Sequence, residues 1–109
     1  MNAAGLIVVL TQVSSTLGMP FYQSLLTDGS VSQDEFDGTR HNLSAAIETL
    51  KNTPEEKIEA LVAEYDEDLT AHLNKFNDLG SEDLHNKFKY AQIMAGYVTT
   101  IMAKAGLRG

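Results

Sequence analysis

The sequence contains no cysteine, and this absence excludes a disulfide framework, a cysteine-based zinc site and thiol redox chemistry. It also contains no alternating polar and apolar pattern of any length that would predict a β-strand. The 109 residues are 43% hydrophobic and 21% charged. This composition is typical of one folded globular domain, residues 1–109, and argues against intrinsic disorder.

One long stretch of the sequence contains no charged residue, and the distribution of charge divides the chain into three segments. Residues 1–27 contain no Asp, Glu, Lys or Arg and form an apolar segment. Residues 28–83 contain all 15 acidic residues and 4 basic ones, a formal charge of −11, whereas residues 84–109 contain 4 basic and no acidic residues. The acidic block predicts a solvated face. The alternative is electrostatic steering between copies or toward a partner, and added salt would weaken this steering.

Periodicity and turn residues predict an all-α fold, a bundle of four main helices with one short helix after Pro20. Residues 54–78 carry the clearest apolar stripe, with spacings of three and four residues. Residues 33–51 carry a narrower stripe that includes Gly38, where we expect local bending or fraying. The stripe in residues 54–78 consists of Ile58, Val62, Tyr65, Leu69, Leu73 and Phe76. The predicted helices cover residues 3–17, 20–26, 33–51, 54–78 and 82–105.

Several helix ends have recognisable cap residues. Two segments have the spacing of a capping box, in which a Ser or Thr caps the first turn and a Glu three residues later returns the bond. Pro54 suits the first position of a helix. Gly80 is predicted to end the fourth helix, Ser81 to cap the next, and Gly106 to end the last. The two predicted capping boxes are Ser32 with Glu35 and Thr53 with Glu56.

The helices predicted at the two ends of the chain are apolar around most of their circumference. A helix of this kind has to be covered by its own domain, a second copy, another protein or lipid. We expect the two terminal helices to pack together and to leave excess apolar surface for an intermolecular contact. The alternative is a self-contained bundle in which both helices are central. The predicted interface residues are Leu6, Ile7, Val9, Leu10, Val13, Tyr90, Ile93, Met94, Tyr97, Val98, Ile101 and Met102.

One short segment resembles part of an EF-hand calcium loop. Residues 28–36, from Asp28 to Phe36, match the second half of that loop, with Gly29 at its sixth position and Glu35 at its twelfth. The third position would be Leu26, which has no oxygen ligand in its side chain, although a calcium loop needs several early oxygen donors. A turn followed by a capped helix explains the same residues.

Two further pairs have the spacing of metal ligands on a helix. Glu82 and His85 match the Glu-x-x-His spacing of di-iron bundles, which need a second copy of it that this chain lacks. Asp68 and His72 lie one helical turn apart and would leave most of a coordination shell unfilled. The sequence also has no nucleophile elbow and no Gly-rich phosphate loop. We therefore predict no cofactor, no metal and no enzymatic activity.

These observations predict a non-enzymatic structural or protein–protein interaction subunit that self-associates or docks into a larger assembly. A minor virion component is one example of such a subunit, suggested by analogy only. The opposing class is a membrane-active helical protein, although the longest unbroken apolar run, residues 3–10, is short for a span. A metal-binding or enzymatic helical bundle ranks third. No basic residue precedes that run, so we expect no cleaved secretory signal and an intracellular or particle-bound location. The acidic balance disfavours nucleic acid. The basic residues that could contact phosphates are Lys87, Lys89, Lys104 and Arg108.

Overall fold

The computed structural model describes residues 1–25, Gly29 and 31–107, and within these ranges it contains helices and no strand. The predicted all-α fold, with four main helices and one short one, is confirmed. The predicted end of the second helix, Leu26, lies outside the described residues. The elements are α1 (Ala3–Thr16), α2 (Met19–Leu25), α3 (Gln33–Lys51), α4 (Glu55–Asp78), a 3-10 turn (Ser81–Asp83) and α5 (Leu84–Lys104).

The four long helices form a ring in which α1 and α5 occupy opposite corners. Helix α1 packs mainly against α3 and α4, and α5 packs mainly against the same two helices while also contacting α2. The prediction that the terminal helices pack together is therefore wrong for the described part of the chain. Each of them has a wide apolar circumference, and that circumference is buried against two neighbouring helices instead of one.

Helix α5 runs antiparallel to α4, and this arrangement brings the basic and acidic segments of the chain together. Lys104 Nζ lies 3.5 Å from Glu64 Oε1 near one end of the pair. At the other end, Lys87 Nζ donates to the carbonyl oxygens of Phe76 and Leu79. Part of the charge complementarity predicted between molecules is thus used within one chain.

One hydrophobic core joins all five α-helices. The predicted stripe on α4 faces it, because Ile58, Val62, Leu69 and Phe76 are buried and the other two members are half-buried. Phe36 of α3 is fully buried and lies at the centre of a cluster of aromatic rings from α2 and α5. The core is therefore continuous from the uncharged segment to the basic one.

Ser32 is the N-cap of α3, as predicted, and its Oγ accepts a hydrogen bond from the Glu35 amide at 3.1 Å. The Glu35 carboxylate is not seen to return the bond. Its Oε1 accepts from Gln92 Nε2 at 2.9 Å and so links α3 to α5. Helix α3 continues through Gly38 without a break, so the fraying expected there is not observed.

We expect Ser32→Ala to reduce the free energy of unfolding by about 1 kcal/mol, because the first turn of α3 loses its side-chain acceptor. The matched control is Ser44→Ala, an exposed position within the same helix. This second change should raise stability by a few tenths of a kcal/mol, since Ala has the higher helix propensity. Urea denaturation measures both variants, and equal effects would contradict a capping role for Ser32.

The capping box predicted at Thr53 is wrong. Pro54 is the N-cap of α4 and provides no side-chain cap. The Thr53 hydroxyl donates instead to the Thr49 carbonyl oxygen at 2.7 Å, which belongs to the preceding helix. The loop between α3 and α4 is short, residues 52–54, and the Thr53 hydroxyl bonds to the last turn of α3.

The junction between α4 and α5 also differs from the prediction. Leu79, in an extended conformation, is the C-cap of α4, and Gly80 has a φ of −105° that other residues also adopt. The N-cap of α5 is Asp83, not Ser81, because a 3-10 turn separates Gly80 from the α-helix. The prediction for Gly106 is confirmed, since it has a φ of +73° directly after the last helix.

The beginning of α1 is held against α4 by an ion pair. The Met1 amino group lies 2.9 Å from Asp66 Oδ1, and the Thr70 hydroxyl donates to the same oxygen at 3.2 Å. The hydrogen bond from the amino group holds the pKa of Asp66 below its ordinary value of 3.8. The charged carboxylate therefore stabilises the fold relative to the unfolded chain.

We expect Asp66→Asn to reduce stability at neutral pH and to flatten the loss of stability in acid. A carboxyl group with a lowered pKa stabilises the fold above its unfolded pKa, and this contribution is lost as the pH falls through the folded pKa. Urea denaturation at neutral pH and at about pH 3 measures the difference. Asp68→Asn, at an exposed position on the same helix, is the control. An unchanged acid profile in Asp66→Asn would contradict this role.

Candidate functional site

Seven of the twelve predicted interface residues are buried inside the chain itself. Their side chains fill the space that α1 and α5 share with α3 and α4, so a partner cannot touch them while the bundle is closed. The broad apolar surface expected at the two chain ends is largely enclosed for this reason. The seven buried residues are Leu6, Leu10, Val13, Met94, Val98, Ile101 and Met102.

The other five predicted interface residues reach the surface to different degrees. Ile7 and Val9 are half-buried on α1, and Tyr90 and Tyr97 are half-buried on α5. Ile93 is 37% exposed. Because α1 and α5 lie at opposite corners of the ring, these residues belong to two separate surfaces, not to one patch.

The outward face of α1 carries no charge. Ala4, Val8, Thr11 and Ser15, at helical spacings of four, three and four residues, line up on this face, and we call them the α1 outer row. Val8 is 57% exposed, the highest value among the large hydrophobic residues that the structure describes. The Thr11 hydroxyl donates to the Ile7 carbonyl oxygen at 2.8 Å, so its proton is satisfied within the helix. The row is therefore a low, weakly polar surface.

The α1 outer row is not among the predicted interface residues, which are all large apolar or aromatic side chains. The signal that indicates the row is the absence of charge on every face of α1, including the face turned to solvent. The exposed side of α2 is also uncharged, and Met19 at its start is 47% exposed. By contrast, the exposed positions of α4 are rich in carboxylates: Glu55, Glu56, Glu59, Glu64, Glu67, Asp68 and Asp78.

A row of aromatic rings crosses the surface between α4 and α5. The His72 ring lies between Tyr90 and Tyr97, with centroid distances of 6.0 and 5.5 Å, and Tyr97 also contacts Tyr65 at 5.8 Å. Lys104 Nζ lies 5.0 Å from the centre of the Tyr65 ring. A hydrogen bond with Tyr65, together with the nearby Glu64 carboxylate, raises the pKa of the Lys104 ammonium. The two predicted interface tyrosines are thus engaged within the chain.

A cleft of about 340 Å³ opens between α3 and α5. Its walls are mainly alanine and methionine side chains, with His41, Asn42 and Thr99 as the polar groups. His41 is the one ionisable side chain among the lining residues, so the cleft lacks the pair of groups that general acid–base catalysis commonly uses. The cleft offers a volume suited to a small apolar group and no arrangement specific to one reaction.

The metal-like motifs do not converge on a site. Asp28, from the partial calcium loop, lies outside the described residues. His72 Nδ1 donates to the backbone carbonyl of Asp68 at 2.7 Å, so this pair is joined through the main chain and not through the carboxylate. Glu82 accepts from a backbone amide of the α4–α5 junction, while His85 Nδ1 is buried without a hydrogen-bond partner in the described atoms. Across residues 1–25, 29 and 31–107, no three His, Asp or Glu side chains are grouped to hold a metal.

The length and apolarity of the helices also bear on the membrane hypothesis. None of the described helices is by itself long and apolar enough to cross a bilayer. Helices α1 and α2 satisfy the criteria of length and composition only when taken together, and they are bent by 58° at the break between them.

No protein-family model, no curated protein sequence and no solved structure matches this chain.

Proposed function

We propose that this protein is a non-enzymatic structural or interaction subunit that self-associates or docks into a larger assembly. The observation that carries the proposal is the uncharged exposed surface of α1 and α2, which includes Val8 and Met19. The chain has a net charge of −7, and none of its Asp, Glu, Lys or Arg residues lies in residues 1–27. Exposed apolar side chains without charged neighbours on the same helix can serve as a contact region.

The burial of the α1 and α5 core residues changes where the contact lies. A partner meets the outer side of α1 and the start of α2, while Leu6, Leu10 and Val13 hold α1 in the bundle. The acidic outer face of α4 stays hydrated and repels other acidic surfaces. Under this proposal the outer side of α1 and the start of α2 form the contact surface, and the charged outer faces of the other helices stay in solvent.

The size of the particle in a native extract tests the proposal. We expect the full-length protein to elute in a particle larger than one chain at physiological salt. The double variant Val8→Glu/Met19→Glu should elute as a single chain, because each change places a charge in the contact surface. Both side chains are exposed, so the fold should persist, as circular dichroism would verify. Identical elution of the two proteins at the size of one chain would refute the proposal.

A membrane-active role is the second candidate, and the combined apolar length of α1 and α2 is the observation that favours it. In this role α1 leaves the bundle and inserts its core-facing residues into lipid. Flotation with vesicles of neutral phosphatidylcholine tests it. Co-flotation of the wild-type protein would support this candidate, and recovery of all the protein in the dense fraction would exclude it.

A further inference from the structure

We infer that the cleft between α3 and α5 is a binding site for a small, uncharged and largely apolar molecule that carries one hydroxyl group. The site is distinct from the contact surface of the proposed function, because it lies on α3 and α5 and not on the outer side of α1 and α2. The origin, volume, extent, charge and polar groups of the cleft each support this ligand class.

The cleft exists because α3 and α5 are separated by large side chains at one end and lined by small ones further along. The rings of Phe36 on α3 and Phe88 on α5 stack at a centroid distance of 5.5 Å and fill the space between the helices. Further along, Ala45 and Ala46 of α3 and Ala103 of α5 line the gap. Alanine is too short to fill it, so open volume remains in an otherwise packed bundle.

The volume of the cleft is sufficient for two fused rings. It measures about 340 Å³, within the range of roughly 300–1,000 Å³ that is typical of small-molecule sites. A cavity of about 150 Å³ holds one benzene molecule, so a bicyclic ring system fits here. Ala46 and Met102, which are 6% and 8% exposed, are its most buried apolar lining residues. The flexible methionine side chain adapts to the shape of an apolar ligand.

The cleft is too short to hold a partner helix. Residues 41–46 of α3 and 99–103 of α5 line it, and each stretch is less than about 10 Å long. A helix bound in a groove is anchored by side chains spread over about two turns. Leu107, which follows α5, donates its amide to the Met102 carbonyl oxygen at 2.9 Å and lines the same cleft. A compact molecule therefore fits better than a helix.

The charge of the lining residues favours an uncharged ligand. None of them is Asp, Glu, Lys or Arg. Helix α3 contains four acidic and two basic residues, so its net negative charge repels an anion. A cation would be buried against alanine and methionine without a carboxylate to pair with, and burying an unpaired charge is costly.

The polar side chains at the cleft match a hydroxyl group. The Thr99 hydroxyl donates to the Ala95 carbonyl oxygen at 2.9 Å, so it is available to a ligand only as an acceptor. The Asn42 amide can both donate and accept. Both residues are exposed, whereas Ala46 and Met102 are buried. A ligand hydroxyl therefore lies at the rim, and the apolar rings lie inside.

The probe for this site is 2-naphthol, which has two fused apolar rings and one hydroxyl group. The chain contains no tryptophan, so the fluorescence of naphthol can be followed without overlap from the protein. We expect saturable binding to the purified full chain, at one site per molecule, with a Kd below about 1 mM. Naphthalene-2-sulfonate has the same rings and a negative charge, and it should bind at least about tenfold more weakly.

The methionine methyl groups report where the probe binds. Met102 lines the cleft, Met94 is fully buried in the core, and Met19 is exposed on α2. In NMR spectra of the full chain labelled with ¹³C at these methyl groups, 2-naphthol should shift the Met102 signal and leave the Met19 signal unchanged. A shift of Met19 without one of Met102 would place the probe on the surface of α2 and overturn the inference.

Two variants test the lining of the cleft. Ala103→Phe should raise the Kd for 2-naphthol at least about tenfold, because Ala103 is exposed and a ring at this position fills the cleft from its rim. Ala71→Phe makes the same change at an exposed position on α4 and should leave the Kd within about a factor of two. Asn42→Ala should weaken 2-naphthol about threefold and leave naphthalene, which has no hydroxyl, unaffected.

Each outcome of these experiments decides the inference. Saturable binding that shifts Met102 and is lost in Ala103→Phe would establish the site. No saturable binding of either naphthol or naphthalene, or equal effects of Ala103→Phe and Ala71→Phe, would overturn it. An equal loss of both probes in Asn42→Ala would overturn the placement of the hydroxyl. The variant Val8→Glu/Met19→Glu leaves the cleft intact and should bind 2-naphthol normally, so the proposed function stands or fails separately.

Discussion

Replacing Phe36 by alanine should reduce the free energy of unfolding by about 3–5 kcal/mol, a large part of the stability of a domain of this size. The Phe36 ring is fully buried and contacts three other rings. Its centroid lies 4.8 Å from that of Tyr22, 5.5 Å from that of Phe88 and 6.5 Å from that of Phe21. Removing it leaves a cavity where α2, α3 and α5 meet, so we expect α2 to loosen as well.

Urea denaturation followed by circular dichroism measures the loss. Phe36→Leu is the matched control, because it retains most of the buried volume and loses only the ring contacts, and it should cost less than half as much. The near-ultraviolet signal of Tyr22 should weaken in the alanine variant. If both variants lost less than about 1 kcal/mol, Phe36 would not hold the three helices together as described.

Replacing Lys87 by methionine should reduce the free energy of unfolding by about 1–3 kcal/mol. Lys87 Nζ donates to the Phe76 carbonyl oxygen at 2.6 Å and to the Leu79 carbonyl oxygen at 2.9 Å, and it lies 4.2 Å from the centre of the Phe76 ring. The side chain, which belongs to the next helix, therefore caps the carboxyl end of α4. Its positive charge also interacts favourably with the negative end of the α4 helix dipole.

Burial lowers the pKa of the Lys87 ammonium, and the Glu82 carboxylate opposes this change. Methionine keeps the apolar stem of the side chain but leaves both carbonyl oxygens without their donor. Lys89→Met, at an exposed position two residues later, should change stability by less than about 0.5 kcal/mol. Equal losses in the two variants would show that charge in general, and not the cap, is responsible.

The helices could be predicted from the sequence because the apolar spacing follows the helical repeat through most of each segment. The bounds of α3 agree with the prediction at both ends, and the stripe from Ile58 to Phe76 faces the core. The caps at Thr53 and Ser81 could not be predicted in the same way. A cap hydroxyl accepts from a backbone N–H, but a Thr hydroxyl can donate to a carbonyl oxygen of the preceding turn instead, as that of Thr53 does with Thr49.

The candidate site was harder to predict than the fold. The sequence shows that α1 and α5 are apolar on most sides, but it does not show how many neighbours cover them. Two neighbours each are enough to enclose Leu10 and Val98 completely. The α1 outer row around Val8 stays exposed. Its apolar area is too small to be recognised from the amino-acid composition. The only signal of this row in the sequence is the absence of charge, and residues 1–27 lack charge on every face, so this signal does not single out one face of α1.

The antiparallel pairing of α4 and α5 also bears on the order in which the chain folds. Their contacts join residues that are close in sequence, as between Lys87 and Leu79, so this hairpin closes a short loop at a small entropic cost. Helix α1 meets α4 at a larger separation along the chain, as between Met1 and Asp66. Contacts at such separation form slowly. We therefore expect the hairpin of α4 and α5 to form early and helix α1 to dock last.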